Sequence, residues 1–368
     1  MSPDGSAPAW PELAHLPEWL ARGNAGELAY LHDPRRASHE KLLPGARSVI
    51  VCGLNYNPPA PHSTESLLGG RSFSSDIQPG KKHSALAAEG LADSPRGWIS
   101  RYAWGVDYHE VMGAKLASLE AAMRARFNEP WDGKWYVDTG PIHERVAAHH
   151  AGLGWLGKHT LLISPEVGSW IFLGVLVTTL ELEPSVAASS ALPADLCGQC
   201  TLCIDACPTS AIVEPYVLDA RLCISYLTIE LRSAIPGQLR ARMGNHVFGC
   251  DICQDVCPWN WKAPHTKEPA FTPREELIAP ELEWLASLTE DEFRREFKGS
   301  PVKRTKWRGM VRNACVALGN SKPKHGSAAH ARVTTLLTRL ATSDDALIAE
   351  HATWALRKIS SAHAGQPG

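Results

Sequence analysis

Long apolar stretches are missing from this chain of 368 residues: the longest, Trp170 to Val177, is too short to span a bilayer. No cleavable secretory or twin-arginine leader is evident before the first folded segment, so a soluble, cytoplasmic protein is expected. A strong charge bias is also missing. The formal net charge is −2, which by itself selects no class of partner. Nucleotide loops are absent as well: Ala151-Gly-Leu-Gly-Trp-Leu-Gly-Lys158-His159-Thr160 matches neither the Walker nor the dinucleotide glycine spacing. Close backbone approach to a bulky cofactor would account for those glycines. What the chain does have is cysteine.

Eight of its ten cysteines fall in one region, as Cys197-x2-Cys200-x2-Cys203-x3-Cys207-Pro208, then Cys223, then Cys250-x2-Cys253-x3-Cys257-Pro258. Two cubane iron–sulfur clusters need eight thiolates. The first block is the bacterial ferredoxin run, whose fourth cysteine ligates the other cluster. The expected sets are therefore Cys197, Cys200, Cys203 and Cys257 for cluster one, and Cys207, Cys223, Cys250 and Cys253 for cluster two. Zinc ribbons present separate Cys-x2-Cys pairs instead, and disulfide frameworks belong to small secreted domains. Cys52 and Cys315 sit in apolar runs and read as buried thiols.

A chain of this length and 44% hydrophobic content supports two or three domains. Residues 1–185 mix strands (Ser48–Leu54, Trp135–Asp138, Thr160–Ser164, Ser169–Thr178) with a helical stripe from Tyr108 to Arg126, an α+β pattern. The Gly-, Ser- and Pro-rich stretch from Pro58 to Arg96 reads as a long loop. Residues 186–265 form the cluster module. After a connector, residues 280–368 are helical, with apolar faces around Met310–Leu318, Val333–Leu340 and Ile348–Ile359. Ala314-Cys-Val-Ala-Leu318 recurs as Ala352-Thr-Trp-Ala-Leu356, a displacement near the period of HEAT-type hairpins; an ordinary bundle is the alternative.

From Lys298 to His325 there are eight basic residues (Lys298, Lys303, Arg304, Lys306, Arg308, Arg312, Lys322, Lys324) and no Asp or Glu. Leu231 to Cys250 is also free of acids and carries Arg232, Arg240 and Arg242. Such runs are either solvated faces or a surface for a phosphate backbone, and the repeat-like scaffold beside them favours the phosphates. In Tyr136-Val-Asp138-Thr-Gly-Pro141 a carboxylate stands where an apolar strand meets a turn. Desolvation there would raise its pKa and suit a general acid; local sequence alone favours a turn-former.

Arg101-Tyr-Ala-Trp-Gly-Val-Asp-Tyr-His109, Val137-Asp-Thr-Gly140, Ala151-Gly-Leu-Gly154, the eight-cysteine pattern, Cys223-Ile-Ser225 and Gly249-Cys-Asp-Ile-Cys253-Gln together resemble the epoxyqueuosine reductase family. The resemblance implies an oxidoreductase using cobalamin and two 4Fe–4S clusters. It would reduce epoxyqueuosine at the tRNA wobble position to queuosine, the final step of queuosine biosynthesis. It implies an N-terminal α/β sandwich-like, nitroreductase-like cobalamin domain, a ferredoxin-like two-cluster module and a C-terminal HEAT-like domain that binds tRNA. Asp138 matches the proton donor. Arg36, Ser100, Arg101, Arg145, Lys158, His159, Ser169, Ser225 and Asp251 fall near cobalamin contacts, with Asp138 also at the cofactor. His109 reads as structural, since its glycine is one residue too far for the usual cobalamin-binding histidine motif. The partners implied are the anticodon stem-loop and an external electron donor, with no membrane and a monomeric chain. This sequence departs from the family pattern in its longer Pro58–Arg96 segment and in Pro141. The rival readings are a reductive dehalogenase, which is typically exported and uses a tyrosine acid, and a non-catalytic ferredoxin-like carrier.

Overall fold

The strand Ile171–Thr178 has no polar face, because both of its sides are covered. In the computed structural model, which describes residues 10–37, 41–59, 94–186 and 192–363, it is the centre of a three-stranded antiparallel sheet. Strand β1 (Ser48–Asn55) pairs with it along its whole length, from Ser48 opposite Thr178 to Asn55 opposite Ile171. The short β2 (Trp98–Ile99) lies outside this sheet. Helix α1 (Tyr108–Arg126) has the bounds that its apolar stripe predicts, and it starts where the Asp107 side chain accepts the His109 N–H. Strand β3 (Gly133–Tyr136) pairs with the other edge of the central strand, and helix α2 (Glu144–His150) follows it.

Two-residue strands β4 (Trp155–Leu156) and β5 (Leu162–Ile163) form a small ladder, and β6 is the central strand Ile171–Thr178. Along β6 the side chains alternate. Phe172 and Leu176 pack with Met112, Leu116 and Met123 of α1, while Leu173, Val175 and Val177 pack with Ala148 of α2 and with Leu42, Ala46 and Ile142. A strand buried on both faces reads as a continuous apolar run. Gly174 is where α1 comes closest: a Cβ there would meet Met112 at 2.8 Å and Leu116 at 2.9 Å. Most of the segment expected to be a long loop, 60–93, lies outside the described residues.

The cysteine segment is built from turns and one-turn helices, with a small hairpin of β7 (Ile212–Glu214) and β8 (Val217–Leu218). Strand β9 (His246–Phe248) runs parallel to β2, placing Trp98 opposite His246 and Ile99 opposite Phe248. That pairing opens a core shared by all three sequence segments. Ile99 and Trp104, Val247 and Phe248, and Leu285, Phe297, Met310 and Cys315 belong to one cluster of buried side chains.

Helix α3 (Lys306–Asn320) is buried almost all round, from Gly309 to Gly319. It packs on α5 (Ala346–His363), with α4 (Ala328–Ala341) against α5. The recurring Ala-x-x-Ala-Leu segments belong to α3 and α5, whose Ala314, Ala317, Ala352 and Ala355 are fully buried. Small residues let these helices approach: a Cβ on Gly319 would meet Trp354 at 2.8 Å. Among the described residues no helix is long and apolar enough to cross a membrane.

Candidate active site

Two one-turn helices, Leu202–Asp205 and Ile252–Asp255, pack against each other and organise the thiols. Each bears a cysteine (Cys203, Cys253) and is followed by a Cys-Pro (Cys207, Cys257), so each carries its last thiol away from its own loop. Cys197, Cys200, Cys203 and Cys257 line one cavity of about 180 Å³. Cys207, Cys223, Cys250 and Cys253 line another of about 340 Å³. The partition is the one that the ferredoxin spacing predicts. Burial, followed by the neighbouring thiols of their own set, pushes Cys203 and Cys257 each up to about 11. Cys253 is raised well above the ordinary range by burial and then by Cys223, and it also feels Cys203 of the other set, which puts the two sets side by side. Among the described residues no group of three or more His, Cys, Asp or Glu side chains converges on one ion. The thiols surround volumes instead, as cluster ligands do. Cys315 is fully buried in α3 and Cys52 half-buried in β1, both away from these cavities.

The larger cavity is more than a cluster pocket. Besides its four thiols it is lined by Ser100, Arg145, His159, Ser169 and Ser225, five of the residues expected near a corrin, and by Tyr56, Tyr102, Ile171 and Leu173. His159 is buried, and desolvation lowers its pKa to about 4, so the ring is neutral. Its Nδ1 accepts the Leu161 N–H at 3.2 Å. That leaves Nε2 as the donor, and Nε2 is buried without a hydrogen-bond partner. Ser169 is held by Gln254 and Asn260 at 2.9 and 2.8 Å.

Four other expected cofactor contacts stand elsewhere. The Arg101 guanidinium lies 4.2 Å over the Trp170 ring and pairs with Asp255 at 2.5 Å. Asp251 accepts the Ser100 hydroxyl and the Arg101 N–H, so these two residues support the wall from behind. Lys158 donates to the carbonyls of Gly198 (2.6 Å) and Cys200 (3.0 Å), pinning the cluster-one loop. Arg36 donates to the carbonyls of Gly140 (3.0 Å) and Ile142 (3.3 Å), and so braces the turn after Asp138.

Strand β3 stops at Tyr136, and Asp138 stands in the turn beyond it with φ +55°, in the left-handed region. The expectation of a desolvated aspartate is corrected here, because Asp138 is exposed. Its Oδ2 accepts the Tyr108 hydroxyl at 2.6 Å, and its N–H donates to Glu144 Oε1 at 2.6 Å. The carboxyl with the displaced pKa is Glu144, raised to about 8 by burial and then by the charge of Asp138. Tyr108 stacks on Phe172 and meets Tyr102 edge-on, so the acid sits across a tyrosine pair from the cavity. Tyr30, Arg36 and Arg304 are within electrostatic reach of Asp138 at the mouth. His109 bonds Asp107 at 2.7 Å, and Asp107 pairs with Lys303, which is a structural role.

The glycine-rich stretch also has a different explanation from the one expected. A Cβ on Gly154 would collide with the Ile163 carbonyl, so the close approach is to β5 and not to a cofactor. The basic run divides. Lys303, Arg304 and Arg308 pair with Asp107, Glu230 and Asp345. Arg312 is 0% exposed and donates to the carbonyls of Leu227, Leu231 and Ser233. Lys298, Lys306, Lys322 and Lys324 are exposed. Glu144 and Tyr108 escaped the sequence reading. Each contacts Asp138; Tyr108 lies inside the Arg101–His109 segment but was given no role there, and Glu144 lies in no recognisable motif.

Two family models match the chain: a 4Fe-4S double cluster binding domain over residues 196–260, and epoxyqueuosine reductase QueG, DUF1730, over residues 36–139. The epoxyqueuosine reductase of Xanthomonas campestris is 39% identical over 345 residues, covering 93% of this chain and 87% of that protein. An epoxyqueuosine reductase solved with an epoxyqueuosine-modified tRNA-Tyr stem loop superposes with a TM-score of 0.78 at 28% identity, covering 98% of this chain and 89% of the other. The Bacillus subtilis enzyme, solved with its catalytic aspartate loop swung out of the active site, gives 0.77 at 29% identity, with 96% and 84% covered.

Proposed function

The chain belongs to the epoxyqueuosine reductase family, and from that premise we propose that it reduces epoxyqueuosine to queuosine at the wobble position of tRNA, with Asp138 as proton donor. The observation that carries this reading is the larger cavity. It joins the four thiols of one set to a wall of polar and apolar side chains, with Asp138 across the Tyr102–Tyr108 pair.

The residues fit cobalamin. The orphaned His159 Nε2–H, the Arg145 guanidinium and the Ser225 hydroxyl supply donors for its amide carbonyls and phosphate, and Ile171 and Leu173 supply apolar contact; the Ser100 and Ser169 protons are already given to Asp251 and Gln254. Bound there, cobalamin supplies a low-potential metal able to deliver electrons to an epoxide carbon, and the clusters deliver electrons singly. The chain's own part is geometric and protonic. Opening the epoxide to an alkene with loss of water takes two electrons and two protons, and the opening oxygen must receive one of those protons. With Oδ2 of Asp138 occupied by the Tyr108 hydroxyl, Oδ1 is the atom left to present the proton.

The second set of thiols, and not the first, lines the same cavity as this wall, so a cluster held by the first set would receive electrons from an external donor and pass them to one held by the second. We read the N-terminal layers as nitroreductase-like, the C-terminal helices as a HEAT-like support for the anticodon stem, and the working form as a cytoplasmic monomer.

The test is mass spectrometry of nucleosides after anaerobic incubation of the iron- and cobalamin-loaded protein with reductant and an epoxyqueuosine-containing stem-loop. Queuosine is expected from the wild type. Asp138→Asn should give none while still binding cobalamin, and full turnover by that variant would remove Asp138 from the reaction.

A further inference from the structure

The turn that carries Asp138 is held at three points. Arg36 takes the carbonyls of Gly140 and Ile142 from the side of the N-terminal segment, and Tyr108 takes the Asp138 carboxylate from α1. The third point is the Asp138 N–H, which donates at 2.6 Å to Glu144, the first residue of α2. This third contact bears on the backbone of the acid itself. Asp138 is a non-glycine residue at φ +55°, a conformation that costs energy and persists only where the surroundings enforce it. A partly buried carboxyl placed against that amide is such an enforcement. It is also an unusual choice of acceptor, since it brings a second acid beside the first.

We propose that Glu144 is the positioning residue for the acid, acting in its neutral form: its carboxyl accepts the Asp138 amide and holds the turn in the left-handed conformation from which Asp138 faces the substrate. The inference rests on the assignment of Asp138 as proton donor.

Protonation follows from the surroundings. The groups facing Glu144 are Asp138 from the turn, Tyr108 from α1, Arg36 from the N-terminal segment and Arg145 on its own helix. Burial and Asp138 outweigh the two arginines and raise the carboxyl to about 8. In a swung-out turn the carboxyl would be solvated and titrate in the usual glutamate range, near 4.5. A group raised in the closed state stabilises that state fully below its open-state pKa and loses the contribution as pH rises toward its closed-state value. The hold is therefore strongest below about pH 4.5 and declines up to about pH 8.

The experiment measures kcat against pH for the loaded enzyme and for Glu144→Gln, Glu144→Ala and Asp138→Asn, together with hydrogen exchange of the amides of Asp138, Thr139, Gly140 and Ile142 and cobalamin affinity. Glutamine keeps the acceptor and cannot ionise. It should stay within a few-fold of wild type at pH 6, and its kcat relative to wild type should rise at least about threefold by pH 8. Alanine should lower kcat about tenfold, the loss expected of one hydrogen bond, and speed exchange at the Asp138 amide. Cobalamin affinity and the KM for the stem-loop should hold. An alanine variant with wild-type kcat and exchange, or a glutamine-to-wild-type ratio flat with pH, overturns the proposal. If Asp138→Asn is inactive while the Glu144 variants behave as wild type, only the role of Glu144 fails. If Asp138→Asn turns over normally, the underlying assignment fails with it.

Discussion

The cysteine module and the basic stretch from Lys298 to His325 are equally conspicuous in the sequence, and the structure uses them in opposite ways. Every one of the eight clustered thiols lines one of two cavities, in the sets that their spacing predicts. Of the eight cations, four are engaged by the chain itself: three in ion pairs at the surface, and Arg312 fully buried among backbone carbonyls. The difference lies in how many jobs each side chain can do. A cluster demands thiolates at fixed separations, and few other uses of cysteine need such a pattern. A guanidinium serves equally well on a phosphate, a carboxylate or a bare carbonyl, so a run of basic residues does not reveal which one it meets.

Three changes would break or sharpen this contrast. The largest effect belongs to a thiol. Cys250→Ser should halve the iron content, from about eight per chain to about four, and abolish queuosine formation. Full iron content in that variant would break the assigned sets. Next is Arg312→Met, which keeps an apolar side chain in the space but leaves three carbonyls unpaired. It should cost about 3–5 kcal/mol in denaturant unfolding, with the salt dependence of tRNA binding unchanged in whatever folds. A normal stability with weaker tRNA binding would return Arg312 to the phosphate face. The smallest effect belongs to the exposed pair Lys322 and Lys324. Replacing both with glutamate should leave stability within about 0.5 kcal/mol. It should weaken stem-loop binding and reduce the slope of log affinity against log salt by about one to two. An unchanged slope would make this a solvated surface. Charge reversal at Arg304 or Arg308 is a poorer probe, because it strands Glu230 or Asp345 as well.

Much of the fold was readable where one stretch of chain answers to one rule. Helix α1 follows its apolar stripe residue for residue, and β6 announces its double burial by an unbroken apolar run. The cluster ligands were readable because their chemistry has a period. What stayed hidden depends on pairs distant in the chain. Nothing local to Asp138 says that Tyr108 will hold its carboxylate or that Glu144 will take its amide and have its own carboxyl raised to about 8. Arg101, Asp251 and Lys158 were expected at the cofactor, and their partners make them wall supports and a loop pin. Gly154 looked like room left for a ligand and proved to be room left for a carbonyl. The strands β2 and β9, of two and three residues, are too short to leave any pattern at all.

That last pairing bears on whether the module can stand alone. With Ile99 laid beside Phe248, and both seated among the side chains of the C-terminal helices, the stretch bearing the cysteines has no seam along which it could be lifted out. A gene fragment encoding it alone would display Val247 and Phe248 to water and would lack half of the larger cavity. Expressed alone, it is expected to fold poorly unless another surface covers Val247 and Phe248.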